Sequence, residues 1–183
     1  MRFPSAAGVL LRNKCSATLQ KVTMEGVDLA LLALNATTTL IDCAITNSSV
    51  KAVQLKAGAN LTATGCSLSR TGPSPGVGVF SGLVAHDRGT NAVLEGCKFL
   101  ENNESAVTII GGAVAMVSNC HAGGNKGINS RERKSTDRMA AFEIIGSGRM
   151  TVKSTAVVGQ AGACGSGKIE MSGVTLNGVS VSK

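Results

Sequence analysis

Seven times in 183 residues an apolar residue is followed three positions later by Val, Thr or Cys, and the seven places align in columns. With Val22, Cys43, Cys66, Cys97, Cys120, Thr155 and Val174 as origin, the third residue before it is Leu19, Leu40, Ala63, Leu94, Val117, Val152 or Met171. The fifth before it is Ala17, Thr38, Leu61, Ala92, Ala115, Met150 or Ile169, and the second after it is Met24, Ile45, Leu68, Phe99, Ala122, Val157 or Leu176. Nearly all are apolar, whereas Thr, Ser, Lys, Glu, Asn and Gly fill the places between. That alternation is a strand with one buried face. The step of three before the origin requires the strand to bend there.

A second apolar strand lies upstream of these columns, read in Val53-Gln54-Leu55, Val107-Thr108-Ile109 and Phe142-Glu143-Ile144, each followed by a turn of small residues. Asn47, Asn102 and Asn125 stand where the chain must turn, as residues that tolerate a left-handed backbone. Each repeat therefore holds several short strands and no helix. Successive origins lie 21, 23, 31, 23, 35 and 19 residues apart, a period that means a solenoid, propeller or array. A propeller blade needs about 40 residues and signature aromatics, and a leucine-rich repeat needs a helical leg. Coils of about 22 residues built from short strands make a parallel β-helix, about seven coils long, stacked at the ~4.8 Å spacing of paired strands.

In that stack the origin column is one inward ladder, so Cys43, Cys66, Cys97 and Cys120 pile up on successive levels as small apolar fillers. In-register parallel neighbours are poorly oriented for a disulfide, which predicts free thiols. No CxxC spacing points to zinc, and no metal or other cofactor is implied. Cys15 and Cys164 lie outside the ladder. An aromatic content of 2%, with neither Trp nor Tyr, leaves small and β-branched residues to fill the interior, which suits a narrow, layered one.

The net charge of +7 is unevenly spread: Lys126, Arg131, Arg133, Lys134 and Arg138 cluster in one stretch against Glu132 and Asp137. A solvated loop is its first reading, and an anion-binding patch its second. No aromatic interleaves with it, which disfavours nucleic acid. Two coils are longer than the rest, one carrying "RTGPSPGVGVFSGLVAHDRG" and one this basic stretch; insertions in solenoids go to outside loops, where function resides. No apolar run reaches the ~18 residues of a membrane span. The N-terminal apolar segment is too short for a secretory signal, while Asn35, Asn47, Asn60 and Asn103 open glycosylation sequons. Free thiols are compatible with a cytoplasm and sequons with secretion, so the compartment stays open. Val9-Leu10-Leu11 aligns with Val53-Gln54-Leu55, and Val179 and Val181 read as part of a further coil. Without visible caps, residues 1–183 are expected to form one β-helix domain whose ends pair with a partner or continue a longer solenoid.

Over residues 9 to 182 these columns resemble the right-handed, single-stranded parallel β-helix of the pectate-lyase-like superfamily. The resemblance is to the repeat. It implies an all-β fold and leaves function to the site, because lyases, hydrolases, epimerases, tailspikes and non-catalytic modules share that fold. Hydrolases of this kind use clustered Asp residues as acid and base. Here Asp28, Asp42, Asp87 and Asp137 are scattered, and the family motifs "DD" and "GHG" are missing. No carboxylate group of the kind that holds Ca²⁺ in pectate lyases is evident.

The remaining catalytic candidates come from register. Lys98 and His121 each follow the origin by one residue in successive coils, with Glu95 close by, a set that could move protons. His86, Asp87 and Arg88 share one turn and are candidate binding residues, as are Arg131, Arg133, Lys134 and Arg138. "GACGSGK", Gly162 to Lys168, mimics a phosphate loop, but Ile169 stands where a hydroxyl is needed and lies in an inward strand column. Thr18, Thr39, Thr62 and Thr151 form an outward column, broken at Val93 and Met116, that suits β-structure better than an ice-binding ladder. The expected function is a non-catalytic scaffold or binding module for a protein or glycan, acting through its outer sheet and long loops. The alternative is a polysaccharide lyase, hydrolase or epimerase of the same fold.

Overall fold

The computed structural model describes residues 7–72, 81–125, 140–164, 166–177 and 179–181. Its strands form two seven-stranded sheets and one eight-stranded sheet, and each coil contributes one strand to each sheet. One coil shows the pattern: Leu29–Leu34 in the first sheet, Thr37–Ile41 in the second, Ala44–Thr46 in the third. Each strand pairs in parallel with its counterpart in the next coil, so the described chain is an all-β parallel coil. No helix among the described residues is long and apolar enough to cross a membrane.

The sequence columns are the observed registers. Leu19, Leu40, Ala63, Leu94, Val117, Val152 and Met171 are consecutive partners across the second sheet. Val9, Leu31, Val53, Leu83, Val107 and Phe142 are consecutive partners across the first. Ile169 pairs with Met150 inside the strand Lys168–Ser172, where a phosphate loop would need a helix. A slip of one residue would turn these columns outward, so their burial fixes the register. Leu40, Leu61, Leu94 and Ile109 are fully buried, each contributing about 1.5–3 kcal/mol through the area removed from water.

The expected bend lies one residue before the origin. Lys21, Asp42, Gly65, Gly96, Asn119, Ser154 and Gly173 hold φ between 45° and 66°, so each described coil turns from the second to the third sheet on one left-handed residue. A side chain there costs about 1 kcal/mol or more, and four of the seven carry one, so stacking of the strands on either side must hold the bend in place. After the third sheet Asn47 is left-handed, as its type predicts. In the two coils of Asn102 and Asn125, however, the left-handed residue is the preceding one, Glu101 or Gly124. Both asparagines turn inward and bond the backbone of neighbouring coils.

Two further expectations change. Val179–Val181 does not continue into another parallel strand but returns antiparallel on Val174–Leu176. Asn177, left-handed at φ 48°, stands before Gly178 in the Asn-Gly pair that favours two-residue hairpins. The outer face of the first sheet is also partly covered: Val84, Thr108 and Glu143 are buried although their strands alternate. Connections entering this sheet fold across it. The Ser81 and Thr108 hydroxyls lie 2.7 Å apart, and Ser105 donates to Glu143 at 3.4 Å. The two long connections, between Ser69 and Leu83 and between Gly123 and Ala140, both lead from the third sheet to the first.

Candidate functional site

The four ladder cysteines are free and buried, and they do more than fill space. Each thiol donates to the carbonyl two residues earlier: Cys43 to Ile41 at 3.4 Å, Cys66 to Thr64 at 3.3 Å, Cys97 to Glu95 at 3.4 Å and Cys120 to Ser118 at 3.1 Å. The sulfur also accepts from the preceding coil, where Cys43 N–H donates to Cys66 at 3.4 Å and Cys97 N–H to Cys120 at 3.3 Å. Thr155 makes the same two bonds with its hydroxyl, accepting from Cys120 N–H at 3.3 Å and donating to the Lys153 carbonyl at 2.7 Å. The bend interrupts the strand ladder, and a short side chain that both donates and accepts replaces the lost partners.

Just outside this bend lie the catalytic candidates. Lys98 and His121 are register partners in the third sheet, as their positions predict, with Lys98 exposed and His121 half-buried. Glu95 ends a strand of the second sheet, on the other side of the bend, and its carboxylate is engaged by the next coil. It accepts from the Ser118 hydroxyl and from Asn119 Nδ2. These two donors, Ser118 first, hold its pKa below the ordinary glutamate value. A general acid needs the opposite shift, so this arrangement keeps Glu95 ionised. The sign for stability follows: the contribution from these bonds is complete above the unfolded-state pKa and is lost as pH falls through the lower folded value. An NMR titration should place the Glu95 midpoint below that of a free glutamate, and Ser118→Ala should move it upward.

The second cluster sits on the outer face of the first sheet. His86 ends the strand Leu83–His86, with its Nε2 3.3 Å from Gln54 Nε2 of the coil before. Burial, then the positive charges of Lys56 and Lys51, lower its pKa, and Asp87 opposes them. Lys51 is itself lowered by burial and by Lys56, against Glu104. The positive charges of Lys56 and Lys51 thus act on His86, and that of Lys56 acts on Lys51. Asp87, left-handed at φ 76°, accepts from Ala57 N–H at 3.2 Å, which ties the His86-Asp87-Arg88 turn to the preceding coil; Arg88 is exposed. Gln54, Val84, Thr108 and Glu143 form the adjacent outward column in register. Lys51, Gln54 and Lys56 were not among the sequence candidates. The signal available was the polar centre of the triplets Val53-Gln54-Leu55, Val107-Thr108-Ile109 and Phe142-Glu143-Ile144.

Arg131, Arg133, Lys134 and Arg138 lie outside the described residues. Among the described residues no three His, Cys, Asp or Glu side chains gather as a metal cage. The threonine column is in register as expected, and Val93 and Met116, 41% and 45% exposed, interrupt it beside Val114.

Comparison with known proteins agrees with this geometry. The family profile described as "Right handed beta helix region" matches residues 2–157. The solved structure of pectate lyase Pel9A is similar with a TM-score of 0.58 over 85% of this chain at 14% sequence identity, a likeness of fold. The chain spans 41% of the length of that structure. No curated protein matches.

Proposed function

This chain belongs to the right-handed β-helix family, and we propose that it is a non-catalytic binding module for an anionic polysaccharide, held on the outer face of the first sheet. The observation that carries this reading is that Lys51, Gln54 and Lys56 share one strand and His86 ends the strand paired with it, its Nε2 3.3 Å from the Gln54 amide. Like charges carried on neighbouring strands gain from an anion placed between them. A polysaccharide carboxylate supplies that charge, and the Gln54 amide supplies a neutral hydrogen bond beside it. Lys51, Gln54 and Lys56 on one strand and His86 at the end of the next hold such groups on a rigid frame, so little ordering cost remains. The chain has no Trp or Tyr, so charge and hydrogen bonds replace the aromatic stacking of many sugar sites.

The alternative, a lyase, hydrolase or epimerase, rests on the pairing of Lys98 with His121 near Glu95. The lowered pKa of Glu95 argues against it as the general acid of that alternative. Binding of polygalacturonate should weaken with salt, exceed binding of neutral dextran, and fall about tenfold in a Lys51→Gln/Lys56→Gln variant, as expected for two partly exposed cations worth together about 1–2 kcal/mol. Equal binding by that variant overturns the site. Turnover of the polymer that disappears in His121→Ala overturns the non-catalytic assignment.

A further inference from the structure

The four interior thiols take no part in binding on the outer face, and their arrangement is regular enough to have chemistry of its own. Each sulfur bonds the carbonyl two residues earlier, so all four side chains take the same orientation. Their sulfurs therefore repeat with the coil spacing of about 4.8 Å. That separation is more than twice the ~2.04 Å of a disulfide bond. It is close to twice a metal–thiolate bond of about 2.3 Å. An ion that takes two sulfurs in a line fits between adjacent rungs without moving the backbone.

We propose that Cys97 and Cys120 form a two-coordinate site for a soft d¹⁰ metal ion, seated between their rungs inside the coil. Soft thiolates select soft ions over the hard cations of carboxylate sites. Cys97 N–H already points at the Cys120 sulfur at 3.3 Å, a backbone donor of the kind that tunes a ligating thiolate. At 4% Cys120 is the most exposed of the four ladder cysteines, which makes it the point of entry.

Binding is a substitution without redox change. Two S–H bonds break, two sulfur–metal bonds form, and two protons pass to solvent. A divalent ion leaves a neutral S–M–S unit, which a dry interior favours over a charged one. The thiol bonds to the Glu95 and Ser118 carbonyls are given up in exchange. The ladder ends at Thr155, whose hydroxyl shows that oxygen can occupy this column in a folded coil.

Hg(II) is the probe, added to the reduced full chain carrying Cys15→Ser, Cys43→Ser, Cys66→Ser and Cys164→Ser, so that the equivalent Cys43–Cys66 pair and the thiols outside the ladder do not compete. The expected result is tight uptake at the Cys97–Cys120 pair, two protons released for each ion bound there, a sulfur-to-metal charge-transfer band, and an unchanged β-sheet circular dichroism spectrum. Cys97→Ser/Cys120→Ser, which places a hydroxyl in the column as Thr155 does, should stay folded and lose at least a hundredfold in affinity for the tightest ion. Retention of that affinity in the double variant overturns the proposal. So does uptake that releases no protons, or that proceeds only with loss of the β-sheet signal.

Discussion

Phe99→Ala is expected to destabilise the coil by about 3–5 kcal/mol, the range for removing a buried aromatic ring. Phe99 is fully buried, at 0% exposure, in the strand Lys98–Leu100. Its register partner in the next coil is Ala122, and Leu68 holds the same column in the coil before. A large ring beside a methyl group fills the interior at that level, and neither neighbour can expand into the space that truncation leaves. Coils touch only their nearest neighbours, so loss at one level weakens both adjoining contacts and is not redistributed through a three-dimensional core. Urea unfolding followed by circular dichroism should show the shift in midpoint. Val93→Ala, on the outward column of the second sheet, should change stability by less than about 0.5 kcal/mol. If the two variants are alike, the +2 column does not face a packed interior.

The contrast between these positions is readable in the chain because strand alternation has a period of two and the step across the bend is constant. Leu94, Cys97 and Phe99 are set inward by the columns alone, and so are Leu40, Cys43 and Ile45. What alternation cannot report is hydrogen bonding within the interior. Cys97 reads as a small apolar filler, yet it completes backbone partners that the bend leaves open, as Thr155 does with oxygen. Asn102 and Asn125 stand at turns, as expected, but for a different physical reason. Asparagine both tolerates a left-handed backbone and bonds local main chain, and here the second property decides.

Legibility of the sites follows the same division. Lys98 and His121 are found because both sit one residue past the origin, so register alone pairs them. Lys51 and Lys56 are missed because they stand a full coil before His86, at the two ends of a strand read only through its central triplet Val53-Gln54-Leu55. The covered outer face of the first sheet depends on connections of differing length, which have no column to read. The Asn177-Gly178 hairpin is signalled locally and lost to the assumption that the repeat continues.

Asn102→Ala should cost about 2–4 kcal/mol, more than removal of a surface amide, because it removes two hydrogen bonds to main-chain groups inside the protein. Asn102 is 0% exposed. Its Oδ1 accepts from Thr71 N–H at 3.2 Å and its Nδ2 donates to the Leu68 carbonyl at 3.0 Å, both in the coil before. Asn125 repeats this pattern one level on, accepting from Asn102 N–H at 3.0 Å and donating to the Phe99 carbonyl at 3.0 Å. The pair is a two-rung amide ladder standing where each coil leaves the third sheet. Gly82 packs directly against it: a Cβ there would lie 2.9 Å from the Ala106 carbonyl and 3.0 Å from Asn102 Nδ2. The amide is therefore enclosed, and water can replace it only by opening the coil. Asn102→Asp tests the direction of the bonds, since a carboxylate can still accept from Thr71 N–H but places a buried charge against the Leu68 carbonyl. It should destabilise at least as much as alanine at neutral pH and recover in part as the carboxyl is protonated. Hydrogen exchange supplies the local readout: Thr71 N–H should lose protection in Asn102→Ala while Lys98 N–H, bonded to the Cys66 carbonyl of the coil before, keeps it. Equal protection of Thr71 in the variant and the parent would mean that another group holds that corner.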